Sequence, residues 1–247
     1  MNIECIVPCF NYSDILCKTI IINSDIIKNI TVVSSVEDYG TNNLCRKYKI
    51  KIFNTDRFHY KFNFNKEAAM NEAYSFVSKD RLVLCLDADI ILPDNFNKII
   101  NSITDFGNII YGAHRHLCRN EEEYKQFILN KNAEEFELDK KADSPFGFFQ
   151  MFYPALCNNI YGKLYDEEVG INSIEIGSKI IEKEKWEYVI ENNLMEKLLA
   201  NPDSKFLNSF KKNAMLDLHL LHIGEYGEDN WWGRENYDIF KKNISKV

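Results

Sequence analysis

The segment Arg81-Leu82-Val83-Leu84-Cys85-Leu86-Asp87-Ala88-Asp89-Ile90-Ile91-Leu92-Pro93 constrains this chain more than any other. Five consecutive apolar residues, Leu82 to Leu86, end abruptly in two carboxylates spaced i, i+2, and Pro93 closes the run. A short continuous apolar run is the pattern of a strand covered on both faces, as in a parallel sheet between helices. Ligands of such sheets sit in the crevice at the carboxyl ends of the strands, where Asp87 and Asp89 fall. The i, i+2 spacing can point both side chains the same way. Two hard anionic oxygen donors at a rigid strand end suit Mg2+ or Mn2+. The plainer alternative is a solvated turn, and the rest of the chain has to decide between them.

With 247 residues, 45% of them hydrophobic, there is apolar material for one large domain. The net charge of −7 and the absence of any block of Lys or Arg argue against a nucleic-acid partner. Seven scattered cysteines (5, 9, 17, 45, 85, 118 and 157) never form Cys-x-x-Cys, which fits reduced thiols and a cytoplasmic location. Glu4 interrupts the N-terminal apolar residues, so no signal peptide is expected. No run approaches the ~18–20 apolar residues of a membrane span.

Strands are expected over Ile3–Val7, Ile30–Val33, Lys49–Phe53, Leu82–Leu86 and Ile109–Gly112. Helices alternate with them: one after a cap at Ser13 or Asp14, a short one over Asn43–Tyr48, one over Lys66–Val77, and one from a cap at Asp94 to about Ile103. That rhythm argues for a parallel α/β sheet. Arg57 to Asn65 reads as an aromatic loop, and residues 119 to 143 as a charged surface helix or excursion. Further on come a β-rich aromatic segment (Phe146–Tyr153), an acidic loop (Lys163–Gly170) and long helical stretches (Ile174–Leu199). An alternating apolar strand, Leu216–Gly224, precedes Asn230-Trp231-Trp232-Gly233-Arg234.

Four motifs in this order resemble glycosyltransferases of the GT-A fold, particularly the family 2 type. They are Val7-Pro8-Cys9-Phe10-Asn11-Tyr12, Asn65-Lys66-Glu67-Ala68-Ala69-Met70-Asn71, Leu86-Asp87-Ala88-Asp89-Ile90-Ile91-Leu92-Pro93, and His222-Ile223-Gly224 followed by Asn230-Trp231-Trp232-Gly233-Arg234. The resemblance implies an α/β GT-A fold, a mostly parallel central sheet flanked by helices, in a single domain over residues 1–247. Its Rossmann-like half, about 1–112, would bind a nucleotide sugar. Its acceptor half, about 145–235, would carry a metal ligand and a flap.

In such enzymes negative charge builds on a leaving diphosphate, and a bound divalent cation (Mn2+ or Mg2+) stabilises it. The resemblance assigns Asp89 to the metal, Asp87 to the ribose and the metal shell with Ala88 between them, and His222 to the last ligand position. A buried, hydrogen-bonded imidazole is the plainer reading of His222. His219, three residues away, faces the other side of a strand. For the donor, expected to be a UDP-sugar, the family pattern nominates Pro8, Phe10 and Asn11 for the base and Asp38 for uracil or ribose. Asn11 and Asp38 read equally well as turn residues bonding their own backbone. Lys66, Asn71 and Arg57 are nominated for phosphate or sugar, and Trp231, Trp232 and Arg234 for a flap closing over the donor.

The departure lies at the acceptor base. Inverting relatives carry Asp where this chain has Ser173, within Gly170-Ile171-Asn172-Ser173-Ile174-Glu175, and a hydroxyl alone is a poor general base. The same stretch also resembles retaining polypeptide GalNAc-transferases, so stereochemistry stays open. Glu175, Asp143 and Glu168 are the nominated bases, with Asp166 and Glu167 beside them. The expectation is therefore a metal-dependent transferase acting on a glycan or protein hydroxyl. The alternatives are a catalytically silent sugar-binding GT-A domain and a sugar-nucleotide pyrophosphorylase. Against the latter, Pro8-Cys9-Phe10-Asn11 lacks the Gly-rich phosphate loop.

Overall fold

The first strand, β1 (Ile3–Pro8), is buried over most of its length and stops at a proline. The structure, a computed structural model, describes residues 2–60, 63–64, 66–78, 80–105, 107–140, 145, 147–154, 165–166, 171–172 and 210–224. Helix α1 (Ser13–Ile26) buries Ile15, Leu16, Thr19, Ile20 and Asn23, one stripe at helical spacing. Its cap position is Tyr12, without a side-chain bond, so the cap expected at Ser13 or Asp14 is not made. Both residues lie inside the first turn, where Asp14 complements the helix dipole.

Strand β2 (Asn29–Ser34) leads to α2 (Tyr39–Tyr48), which starts a turn earlier than the expected Asn43. Asp38 is the reason: its carboxylate accepts from Thr41 N and caps the helix. Lys49 ends α2 in the left-handed region (φ 56°), and β3 (Lys51–Asn54) follows. The aromatic loop contains a short hairpin, β4 (His59–Tyr60) with β5 (Asn63–Phe64). Helix α3 (Lys66–Ser75) then enters β6 (Leu82–Leu86), whose five residues are all buried.

After a tight turn come β7 (Ile90–Ile91) and α4 (Phe96–Ser102), whose cap position is Asn95 rather than the expected Asp94 and makes no side-chain cap bond. Strand β8 (Ile109–Leu117) extends through His114 and His116, well past the expected Gly112. The charged excursion holds α5 (Glu121–Asn130), capped by Asn120, and β9 (Glu137–Leu138). The aromatic segment supplies β10 (Phe149–Phe152), and β11 (Tyr165–Asp166) pairs with β12 (Ile171–Asn172). The last strand described is β13 (Lys212–His222). The helical stretches expected over 174–199 lie outside the described residues.

The main sheet runs β3-β2-β1-β6-β10-β8-β13-β7, with β9 on β8. Its first four strands are parallel, as the α/β rhythm predicts. Beyond β6 the direction is mixed: β10 is antiparallel to both neighbours, β13 is parallel to β8, and β7 is antiparallel to β13. Helices cover both faces. Cys5, Val7, Leu84 and Leu86 share one core with Ile15, Leu16 and Ile20 of α1 and Phe96 of α4. Ile6, Val83, Cys85 and Phe152 share the other with Ala69, Met70 and Ala73 of α3. Two-sided burial is why β6 reads as an unbroken apolar run.

Two features of this path place the site. The chain leaves β1 outward through β2 and β3, then returns to its other side with β6, so the order reverses at β1, the kind of place where such sheets bind ligands. Strands β6 and β7 are separated only by Asp87-Ala88-Asp89 in the chain, yet β7 is the far end of the sheet path. The turn between them is thus a covalent clasp from the middle of the sheet to its edge.

Candidate active site

At the end of β1, Cys9 N donates to Val33 O (2.8 Å) and Phe10 stacks on Phe58 with ring centroids 5.7 Å apart. Pro8 and Phe10 are buried, while Asn11 is exposed with φ 49°. Asn11 N donates to Asp38 Oδ2 (2.8 Å), Ser34 Oγ to the same oxygen (3.2 Å), and Thr41 N to Oδ1 (2.9 Å). With both oxygens engaged and 3% exposure, Asp38 fastens the β1 loop to the start of α2. The bond from Thr41 N is the local backbone contact that the turn-residue reading of Asp38 describes. Arg57 lies 3.9 Å from Glu72 of α3, whose carboxylate also accepts from Thr55 Oγ1.

The acidic turn after β6 is held from α1. Thr19 Oγ1 donates to Ala88 O (2.6 Å), and Asn23 uses both ends of its amide, Nδ2 to Ile90 O (2.8 Å) and Oδ1 from Leu92 N (2.9 Å). Asp87 N bonds Phe148 O of the segment leading to β10 (3.0 Å). Thr19 and Asn23 were missed as site residues by the sequence reading. Their signal was two polar side chains at i, i+4 inside an apolar stripe, each fully buried at a cost unless hydrogen-bonded.

The two carboxylates go to different partners. Asp87 forms an ion pair with Lys66, the first residue of α3. Asp89 meets His222, with Nε2 3.2 Å from Oδ2, and its backbone oxygen accepts from Ile223 N (2.9 Å). The register His222↔Ile90 between β13 and β7 makes that meeting possible. Both side chains are nearly enclosed, with 12% of His222 and 15% of Asp89 exposed. Burial is the largest single influence and opposes charge on each, but the partner's charge, the hydrogen bond between them and nearby charges together reverse it: Asp89 is held below the ordinary carboxylate value and His222 above the ordinary imidazole value.

Asp89 Oδ1 and His222 Nδ1 are buried without a hydrogen-bond partner among the described residues, which in a native site asks for an explanation. The 3.2 Å between Oδ2 and Nε2 is close to the edge of about 3 Å between neighbouring ligands in an octahedron with bonds of about 2.1 Å. The donor set therefore fits a divalent cation. Among the described residues no group of three acids, imidazoles or thiolates is arranged to hold one, and the Asp87 carboxylate pairs with Lys66. Two protein ligands suit an ion whose other positions are filled by phosphate oxygens and water.

His219 has other neighbours. It stacks on His114 (centroids 5.2 Å) and its Nδ1 lies 2.9 Å from His116 Nε2, so it plays no part at Asp89. Asn71 is half-buried on α3, and Ala88 is buried in the turn. Glu175, Asp143, Glu168, Glu167, Ser173, Trp231, Trp232 and Arg234 lie outside the described residues, and Asp166 falls in β11. The six described cysteines are unbridged, and burial pushes the thiols of Cys45 and Cys118 up to about 11. Among the described residues no helix is long and apolar enough to cross a membrane.

The model of the family described as Glycosyl transferase family 2 matches residues 4–170. No curated protein matches the chain. Similar solved structures include mannosyl-3-phosphoglycerate synthase from Rubrobacter xylanophilus, at 18% identity and a TM-score of 0.36, over 47% of this chain and 40% of that one. Another is glucosyl-3-phosphoglycerate synthase from Mycobacterium tuberculosis in complex with Mn2+ and uridine-diphosphate-glucose, at 16% identity and a TM-score of 0.35, over 46% and 43%. The match spans less than half the length of each.

Proposed function

The chain belongs to glycosyltransferase family 2, with its GT-A fold, and from that membership we propose a metal-dependent enzyme that moves a sugar from a UDP-sugar to a hydroxyl of a glycan or protein acceptor. The observation that carries the reading is the nearly enclosed Asp89–His222 pair, its Oδ2 and Nε2 3.2 Å apart in the turn that leaves β6, next to the reversal of strand order.

Asp89 Oδ2 and His222 Nε2 are the atoms to hold Mn2+ or Mg2+. Such an ion supplies Lewis-acid stabilisation of the charge that builds on the departing diphosphate. Asp87 serves the ribose side of the donor, and Lys66, which it now neutralises, offers its ammonium to a phosphate. Phe10 and Asn11 border the base. Asp38 acts on it indirectly, by fixing the peptide of Asn11. Asn71 and Arg57 remain candidates for sugar and phosphate contact. Thr19 and Asn23 hold the acidic turn rigid from behind, so that little reorganisation is needed when charge develops. In this reading about 1–112 form the donor half and about 145–235 the acceptor half. If the transfer inverts, the proton of the attacking hydroxyl goes to Glu175, Asp143 or Glu168; Trp232 and Arg234 are assigned to the flap over the donor.

Release of UDP from a panel of UDP-sugars, with Mn2+ and without acceptor, tests the proposal. Metal-dependent release from one of them is expected. No release, together with no binding of UDP, would instead favour a sugar-binding domain that has lost its chemistry.

A further inference from the structure

Gly224 lies two residues beyond His222, at the end of the peptide that pairs with Asp89 through Ile223 N. A β-carbon built on it would stand 2.5 Å from His222 Nε2, closer still to Asp89 Oδ2, and 3.0 Å from Asp89 Cγ. Non-bonded carbon contacts settle at about 3.5–4.0 Å, so a side chain at 224 and the observed Asp89–His222 pair exclude each other. Because the backbones on both sides are pinned, it is the tips of Asp89 and His222 that have to move. The backbone is pinned by Ile223 N to Asp89 O (2.9 Å) and by Cys118 N to His222 O (2.9 Å). The acidic turn is pinned by Thr19 and Asn23. Gly224 has no left-handed φ, so the requirement for glycine is one of close approach and not of backbone conformation.

The two nearest atoms in that collision, Oδ2 and Nε2, are the same two assigned to the cation. We infer that Gly224 is a positioning residue for the metal: its missing side chain lets the carboxylate and the imidazole stand side by side within one coordination sphere. The inference rests on the metal role proposed above. A β-carbon at 224 drives Oδ2 and Nε2 apart and occupies the side from which both are reached. Cation affinity then falls while the sheet and its helices persist.

Gly224→Ala is compared with wild type by the electron paramagnetic resonance signal of free Mn2+, titrated against protein with UDP and separately with GDP. A dissociation constant for Mn2+ weakened at least tenfold is expected, with an unchanged far-UV circular dichroism spectrum and UDP binding in EDTA within twofold of wild type. Equal Mn2+ affinity in the two proteins would overturn the role of Gly224 and leave the metal reading standing. Failure of wild type to retain Mn2+ with either nucleotide would overturn the metal reading, and this role with it.

A second measurement does not depend on Gly224→Ala folding well. The loss of Tm caused by Gly224→Ala is compared in wild type and in Asp89→Ala, where the colliding carboxylate is gone. At least half of the loss should disappear in the Asp89→Ala background, because residues in contact couple. If Gly224→Ala alone does not fold, Asp89→Ala/Gly224→Ala should. Additive losses, or a double variant that also fails to fold, would overturn the inference.

Discussion

The two ends of the main sheet are built differently. From β3 to β6 the strands are parallel, β1, β2 and β3 lie side by side in chain order with β6 returning beside β1, and helices cover both faces. From β10 to β7 the directions mix, and β13 brings His222 to a carboxylate 133 residues earlier. The first end supplies the carboxylates on a rigid turn, and the second delivers the imidazole that completes the pair. The first end therefore stands on two-sided packing, and the site's contribution from the second stands on the β13–β7 register.

If that division is right, damage to each end should read out differently. The largest effect is expected from Asp89→Asn, a cut in transfer rate of about 10²–10³ with Mn2+-dependent UDP binding lost and the fold retained. Retained Mn2+-dependent binding would show that the pair is structural. Leu84→Ala, in the parallel half, should cost about 2–5 kcal/mol in urea unfolding, because Leu84 is fully buried and its neighbours are fixed on both faces. A loss under about 1 kcal/mol would mean that this half is less tightly packed than its burial implies.

Thr19→Val removes the donor to Ala88 O and should lower stability by about 1 kcal/mol while weakening Mn2+ retention with UDP. An unchanged Mn2+ affinity would detach α1 from the site. The smallest effect concerns His116 in the mixed half. Burial lowers its pKa, partly offset by the bond to Phe136 O, and it faces His219, His114 and Glu134. As pH falls below about 6.5 the unfolded chain takes up the proton first, so stability is lost until the folded imidazole also titrates. Above that range His116 contributes no pH dependence. His116→Asn, which keeps a donor for Phe136 O, should make the decline between pH 7 and pH 5 shallower. An identical slope would place the acid sensitivity elsewhere.

The parallel half was largely legible in the sequence. Leu82–Leu86 was delimited to the residue, since an apolar run bounded by Arg81 and Asp87 leaves little choice. The start of α2 is not legible from Asn43–Tyr48 alone, because the cap at Asp38 is an ordinary-looking loop acid until its bond to Thr41 N is seen. Asp89 and His222 were nominated from motif order, yet only the β13–β7 register puts them within 3.2 Å. Lys66 and Asp87 were both nominated, but not as partners, because an ion pair between a helix start and a strand end has no sequence signature. Gly224 stands in the motif His222-Ile223-Gly224 with nothing in the sequence to explain it, and what it avoids is visible only in three dimensions.

The clasp formed by Asp87-Ala88-Asp89 carries a mechanical consequence. Because that tripeptide joins the fourth strand of the path to the eighth, peeling β13 away from β7 would pull directly on the residue meant to grip the ion. Fraying of the outermost edge and loss of cation affinity should then be a single event, with amide protons of β7 and Mn2+ escaping together.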